Sequence, residues 1–182
     1  MAIKFAFHEG KAVEALALIA KLKPGLTPLY VSKIFFYAEK WHLNRYGRPI
    51  VADTYIAMPK GPVPSTIKNF IDSNWAWIDK PEEIDNAIKI DSSKGWPRLF
   101  AGEREPNLSI LSETDAQCLE EAVNYCKDKS PAELSALTYQ EKSWLLAEAN
   151  QAMDYEHFID DDNPNRVQIV ELAKVASAYG IL

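Results

Sequence analysis

Thr27-Pro28 at one end and Gly47-Arg48-Pro49 at the other bracket a stretch with no internal breaker, and this bracket limits the possible folds more than any other feature. A threonine side chain caps free backbone donors of a first turn, and proline suits that turn. Glycine past the end supplies the positive φ that helix ends commonly adopt, and Pro49 prevents continuation. The pattern predicts a helix over 28–46. Val31, Ile34, Phe35, Ala38 and His42 fall on one stripe of it, and Phe36, Tyr37, Lys40 and Trp41 widen the apolar surface, so it is expected at the centre of the core.

Around this helix the chain reads as short elements. Val13, Leu16, Ala17 and Ala20 predict an amphipathic helix from Gly10 to Leu22, ended by Lys23-Pro24-Gly25. Ile50-Val51 and Thr54 to Met58 read as the arms of a hairpin turned at Ala52-Asp53, and Pro59 to Pro64 as a stiff loop whose prolines fix φ. Pro64 opens a short helix ending near Asn74. Ile88 to Ile90 and Leu99 to Ala101, punctuated by Gly95, Pro97, Gly102 and Pro106, predict a small antiparallel sheet. Ser112 precedes a helix carrying Ala116, Leu119, Val123 and Cys126, and Ser130-Pro-Ala-Glu133 matches a capping box. Thr138-Tyr-Gln-Glu141 repeats the pattern and is expected to open a helix through Trp144 to about Ala149. Asn163-Pro164 starts a last helix with Val167, Val170, Leu172 or Ala173, and Val175 toward the core, and Gly180 is placed to end it. The expected fold class is mainly α with a small antiparallel β-sheet (α+β), a compact helical core around the 28–46 helix. With no repeat and no linker visible, one domain over 1–182 is expected.

Chemistry is sparse. Lys+Arg 20 against Asp+Glu 26 gives a net charge of −6, the opposite of the basic footprint of an autonomous nucleic-acid binder and a balance that steers toward basic partners. Direct nucleic-acid binding is therefore disfavoured. No apolar run approaches the ~20 residues a membrane helix needs, and the start lacks a signal-peptide core, so a cytoplasmic protein without membrane contact is expected. Cys118 and Cys126, eight positions apart on one helix and so about 12 Å apart along it, are too distant to pair with each other and read as buried thiols. His8, His42 and His157 lack partners at metal-ligand spacing, and Asp160-Asp161-Asp162 reads as a solvated loop before a helix, so neither metal nor cofactor is expected. There is no phosphate-binding loop and no nucleophile elbow. The chain is not read as an enzyme; a small enzyme using His42 with Glu39 or Asp53 is the rival reading. Trp75 and Trp77 alternate along one segment and are left open between core and surface.

Lys33-Ile-Phe-Phe-Tyr-Ala-Glu-Lys-Trp-His-Leu-Asn-Arg-Tyr-Gly-Arg-Pro-Ile50, followed by Asp53-Thr-Tyr-Ile-Ala-Met-Pro-Lys-Gly-Pro-Val-Pro-Ser65, closely resembles the Panacea domain, also called the SocA-like antitoxin domain. Ser135 to Trp144 is similar to a later segment of that family, with Tyr139 standing where histidine is common. The resemblance runs from about Gly10 to Ile159. It implies an antitoxin of a bacterial or prophage type II toxin–antitoxin system, from a family that neutralises many unrelated toxins, usually in an inactive complex. One relative works instead as a proteolytic adaptor, so a protease is the alternative partner beside the cognate protein toxin. Within the motif Lys33, Tyr37, Gly47, Pro49, Gly61, Pro62, Pro64 and Trp144 are assigned to structure, with Lys33, Tyr37 and Arg45 read as long side chains covering their helix. Tyr46, Arg48, Tyr55, Met58 and Lys60 are read as exposed and assigned to toxin contact, because interfaces favour Tyr, Arg and Met.

Overall fold

The computed structural model describes residues 3–179. The bracketed helix is α2 (Pro28–Tyr46), preceded by α1 (Glu9–Leu22). Gly47 adopts φ 74° and its N–H closes on the Leu43 carbonyl at 2.9 Å, as the terminator pattern requires. Every residue from Val31 to Glu39 is buried, with His42 and Leu43, so α2 is enclosed rather than one-sided.

The cover comes from α5 (Glu113–Cys126), the hairpin β1 (Tyr55–Met58) and β2 (Gly61–Pro64), α3 (Ser65–Ile71), α6 (Pro131–Thr138), a 3-10 turn (Tyr155–Phe158) and α8 (Arg166–Tyr179). Helix α1 packs against α5, the one-turn α4 (Ile84–Ala87) and a second hairpin, β3 (Ile88–Asp91) with β4 (Arg98–Ala101). Both sheets are antiparallel and two-stranded, which gives the expected mainly α fold with little sheet. The second hairpin falls where its β-branched and aromatic runs predict. It is stitched to the α1–α2 turn by Gly25 N–H to Leu99 O (2.7 Å) and Leu99 N–H to Leu26 O (2.8 Å). Ser112 and Ser130 form the capping boxes that open α5 and α6, and Cys118 and Cys126 are buried.

Several expectations are corrected. The first hairpin turns at Pro59-Lys60, pairing Met58 with Gly61 and Tyr55 with Pro64, not at Ala52-Asp53. The amides of Ile50, Val51 and Ala52 are all drawn onto the Glu39 carboxylate, with Ala52 at φ 59°, so they are not free to join a ladder. Asp53 accepts from Thr66 N–H (3.1 Å) and Ile67 N–H (2.8 Å), which fastens the start of α3. Pro62 and Pro64 lack an N–H and are tolerated because β2 is an edge strand, while the other edge of β1 is met by residues 150–153. The loop read as separate is therefore half of the hairpin.

Helix α3 ends at Ile71, short of Asn74, and Thr138 closes α6 instead of opening the next helix. The following α7 (Lys142–Leu145) is a single turn; the expected capping box does not form, because the Thr138 hydroxyl donates to the Ser135 carbonyl (2.9 Å) and the Glu141 carboxylate bonds to Lys40 (2.6 Å). In α8 the buried residues are Ile169, Val170 and Ala173, whereas Val167 (70% exposed), Leu172 and Val175 face outward. Asn163, bonded to the Asn44 carbonyl at 2.8 Å, anchors the approach to this helix from outside its apolar pattern. Gly180 lies outside the described residues. Trp75 packs on Phe70, with ring centroids 5.6 Å apart, while Trp77 is 89% exposed.

Ile34→Ala, which empties a fully buried site on α2, is expected to cost about 2–5 kcal/mol in urea denaturation. Val167→Ala should stay within about 0.5 kcal/mol, and a large loss there would contradict the observed rotation of α8.

Candidate binding surface

Lys33 leaves α2 in its second turn and is only 1% exposed. Its Nζ donates to the carbonyls of Lys60 (2.6 Å) and Pro62 (3.3 Å), so it does not cover its helix as expected but reaches into the β1–β2 turn. Burial pushes this amine down to about 7. The amine donates to both carbonyls, and its neutral form, which burial favours, keeps two N–H groups for them. Gly61 sits directly against this bond: at φ 97° a side chain is already strained, and a Cβ there would collide with both the Lys33 amine and the Thr138 hydroxyl.

The same turn is held from other sides. Trp144 Nε1 donates to the Met58 carbonyl (3.1 Å), Tyr139 hydroxyl to Pro59 (2.8 Å), and Ser135 hydroxyl to Lys60 (3.3 Å). The Tyr139 and Trp144 rings lie 4.8 Å apart. Side chains of α2, α6 and the α6–α7 segment thus fasten the carbonyls of residues 58, 59, 60 and 62, a clamp made through main-chain atoms. Tyr139 thus supplies one of the donors aimed at the turn.

Beside the clamped turn lies a groove of about 600 Å³, walled mainly by carbon, with Leu29, Met58, Val63 and Trp96 on its sides and Lys33 among its lining. Trp96 comes from the turn of the second hairpin and is 74% exposed. Leu29 and Trp96 escaped the sequence reading because segments far apart in the chain meet here; the signal they carry, an apolar residue in the first turn of α2 and a tryptophan inside a Gly-Trp-Pro turn, is not specific.

The five residues assigned to contact do not form one patch. Met58 and Lys60 sit at the clamped turn, level with Lys33, whereas Tyr46 and Arg48 lie at the C-terminal end of α2, about 20 Å away along its axis at ~1.5 Å per residue. Tyr55 is 1% exposed and packs on Phe36 and Phe158, which corrects its reading as a surface residue: as the first residue of β1 its inward alternation places it in the core. Tyr46 is exposed and lies against the His42 ring, with centroids 4.7 Å apart. Arg48 is half engaged, its guanidinium bonded to Ser112 Oγ (3.0 Å) and 3.0 Å from Asp115 Oδ1.

His42 does not join Glu39 or Asp53. Its Nδ1 meets the Arg48 carbonyl (2.8 Å), and its Nε2 meets Thr114 Oγ1 (2.9 Å) and Asp115 Oδ1 (3.0 Å), with His42 and Asp115 themselves fully buried. Burial works against the Asp115 charge, yet hydrogen bonds from His42 and Lys11 hold its carboxyl well below the usual range. Glu39 and Asp53 are occupied by backbone amides. These groups tie loops to helices and present no reacting face to solvent. Among the described residues no group of His, Cys, Asp or Glu is arranged to hold a metal ion, and no helix is long and apolar enough to cross a membrane.

Fold and site together define a helical domain that displays a preformed hairpin turn beside an apolar groove. A family model described as antitoxin SocA-like, Panacea domain, matches residues 31–145, more than half of the chain, and the protein belongs to this family. The matched span contains every member of the clamp, from Lys33 to Trp144. No curated protein and no solved structure matches the chain.

Lys33→Met keeps the stem but leaves the Pro62 carbonyl without its donor, an expected loss of about 1–3 kcal/mol. The amine sits lower in the folded than in the unfolded chain, so the unfolded state holds more protons between pH 7 and 10.5, and this contribution grows as pH rises. Between pH 7.5 and 9 wild-type stability should rise relative to Lys33→Met by up to about 1.4 kcal/mol per pH unit, the contributions of the buried cysteines and tyrosines being common to both proteins. Parallel pH profiles for the two proteins would show that burial does not lower the amine's proton affinity.

Proposed function

We propose that this protein is the antitoxin of a bacterial or prophage type II toxin–antitoxin pair and that it neutralises its cognate protein toxin by direct contact, not by catalysis. The supporting observation is the clamp. Met58, Pro59 and Lys60 are presented on a turn whose carbonyls are fastened from inside, next to an open apolar groove, and membership of an antitoxin family points to the same use. A surface already held in one conformation loses less entropy on association than a mobile loop.

Met58 and Lys60 with the groove form the primary contact in this reading, and Tyr46 and Arg48 a second one at the far end of α2. The net charge of −6 favours encounter with a basic partner. The buried surroundings of His42, Glu39 and Asp53 agree with a binding role, because each of these groups is already committed to internal bonds.

The product of the reading frame adjacent to this gene, expressed alone, should arrest growth, and co-expression of this protein should restore it. A harmless neighbour, or arrest that persists, counts against the proposal. Met58→Ala and Tyr46→Ala should weaken toxin affinity by about 1–3 kcal/mol where they are hot spots while leaving the melting temperature nearly unchanged, whereas Ile34→Ala should lose affinity only as it loses stability. Isothermal titration and thermal melting on each variant separate the two.

A further inference from the structure

We infer that the groove beside the clamped turn receives a short acidic-apolar segment of the partner, in which a bulky apolar side chain enters the groove and a neighbouring carboxylate meets Lys60. The inference deepens the binding reading above and rests on it for the partner's identity as a toxin.

The groove lies on a chain of net charge −6, yet the charged residues lining it are Lys33, Lys60 and Lys68 against Asp72 alone. Asp72 is already paired with Lys68, one helical turn away. Lys33 is turned inward onto two carbonyls. The exposed cation left at the mouth is Lys60, whose main chain is held by Lys33 and Ser135 while its ammonium forms no ion pair among the described residues. The local sign is thus the reverse of the whole molecule's: the overall field favours a basic partner, while this one recess selects an acidic group on it.

The walls require an apolar neighbour for that group. Leu29, Met58 and Trp96 leave little polar surface in the recess, so a lone carboxylate entering it would lose water without finding donors. An apolar side chain buries against these walls, and the carboxylate stays at the wetter rim with Lys60. Trp96 and Met58 are of the types enriched at interface anchors.

The probe is a library of random short peptides displayed on phage and selected against the full-length protein. Enriched sequences should place Asp or Glu within one or two positions of an aromatic or long aliphatic residue. Lys60→Glu and Trp96→Ala, both at exposed positions, should melt as the wild type does yet weaken the selected peptides at least about tenfold, and selection on Lys60→Glu should turn toward Lys or Arg. Three results overturn the inference: no enrichment, enrichment without an acidic preference, or selected peptides that bind both variants as tightly as wild type. A dimer in light scattering that these substitutions dissociate would assign the groove to a second copy and overturn it as well. Growth rescue separates this idea from the one beneath it. If both variants neutralise the toxin as the wild type does, the groove inference fails and the antitoxin reading stands; if the wild type itself does not rescue, the antitoxin reading fails while peptide selection still reports on the groove.

Discussion

The amides of Ile50, Val51 and Ala52 converge on one buried carboxylate, Glu39, and the path of the chain after α2 depends on that convergence. Burial pushes the carboxyl up to about 7, and the three N–H groups pull in the opposite direction. A carboxyl group buried without such donors would be costly, so the helix and the loop stabilise each other. Two other buried polar side chains of α2 act in the same way. Lys33 holds the β1–β2 turn, and His42 joins the Arg48 carbonyl to the first turn of α5. At about 100° per residue the three leave the helix in different directions, so one rod orders three segments around itself.

This arrangement explains which parts of the fold were legible in the sequence. Helices α1, α2, α5 and α6 are written locally: apolar spacing gives their faces, and Ser112, Ser130, Pro131 and Gly47 give their ends. The first hairpin was displaced in the reading because its position is decided by a residue eleven or more positions earlier in the chain, Glu39, competing for amides that would otherwise serve a strand. Glu141 was misread for a similar reason. Its capping pattern is complete, but Lys40, about a hundred residues away in sequence, takes the carboxylate. In α8 apolar residues occupy nearly the whole circumference, so periodicity left the rotation undetermined, and only contacts with the rest of the core distinguish Ile169 from Val167.

The candidate site divides along the same line. Motif residues Lys33, Gly61 and Trp144 were recognisable as a set, but not what they do, since snorkelling and clamping require the same long side chain and differ only in what lies opposite. Tyr55 was misassigned because its residue type suits an interface and a core equally, and strand register decides between them. The groove was invisible to local reading: its walls come from the first turn of α2 and from both hairpins.

The clamp acts on carbonyl oxygens, and this has a consequence for how such a surface can vary. Trp144, Tyr139, Ser135 and Lys33 grip atoms that every residue type possesses, so the side chains at positions 58 and 60 are not needed to hold the turn. Gly61 is the exception, because the space of its missing Cβ is occupied by the grip itself. Rigidity and specificity therefore rest on different atoms: the main chain is fixed by the helices, while the outward side chains and the groove walls contribute what a partner would read. A fold organised in this way can change the chemistry it presents without losing the preorganisation that makes a small contact surface effective.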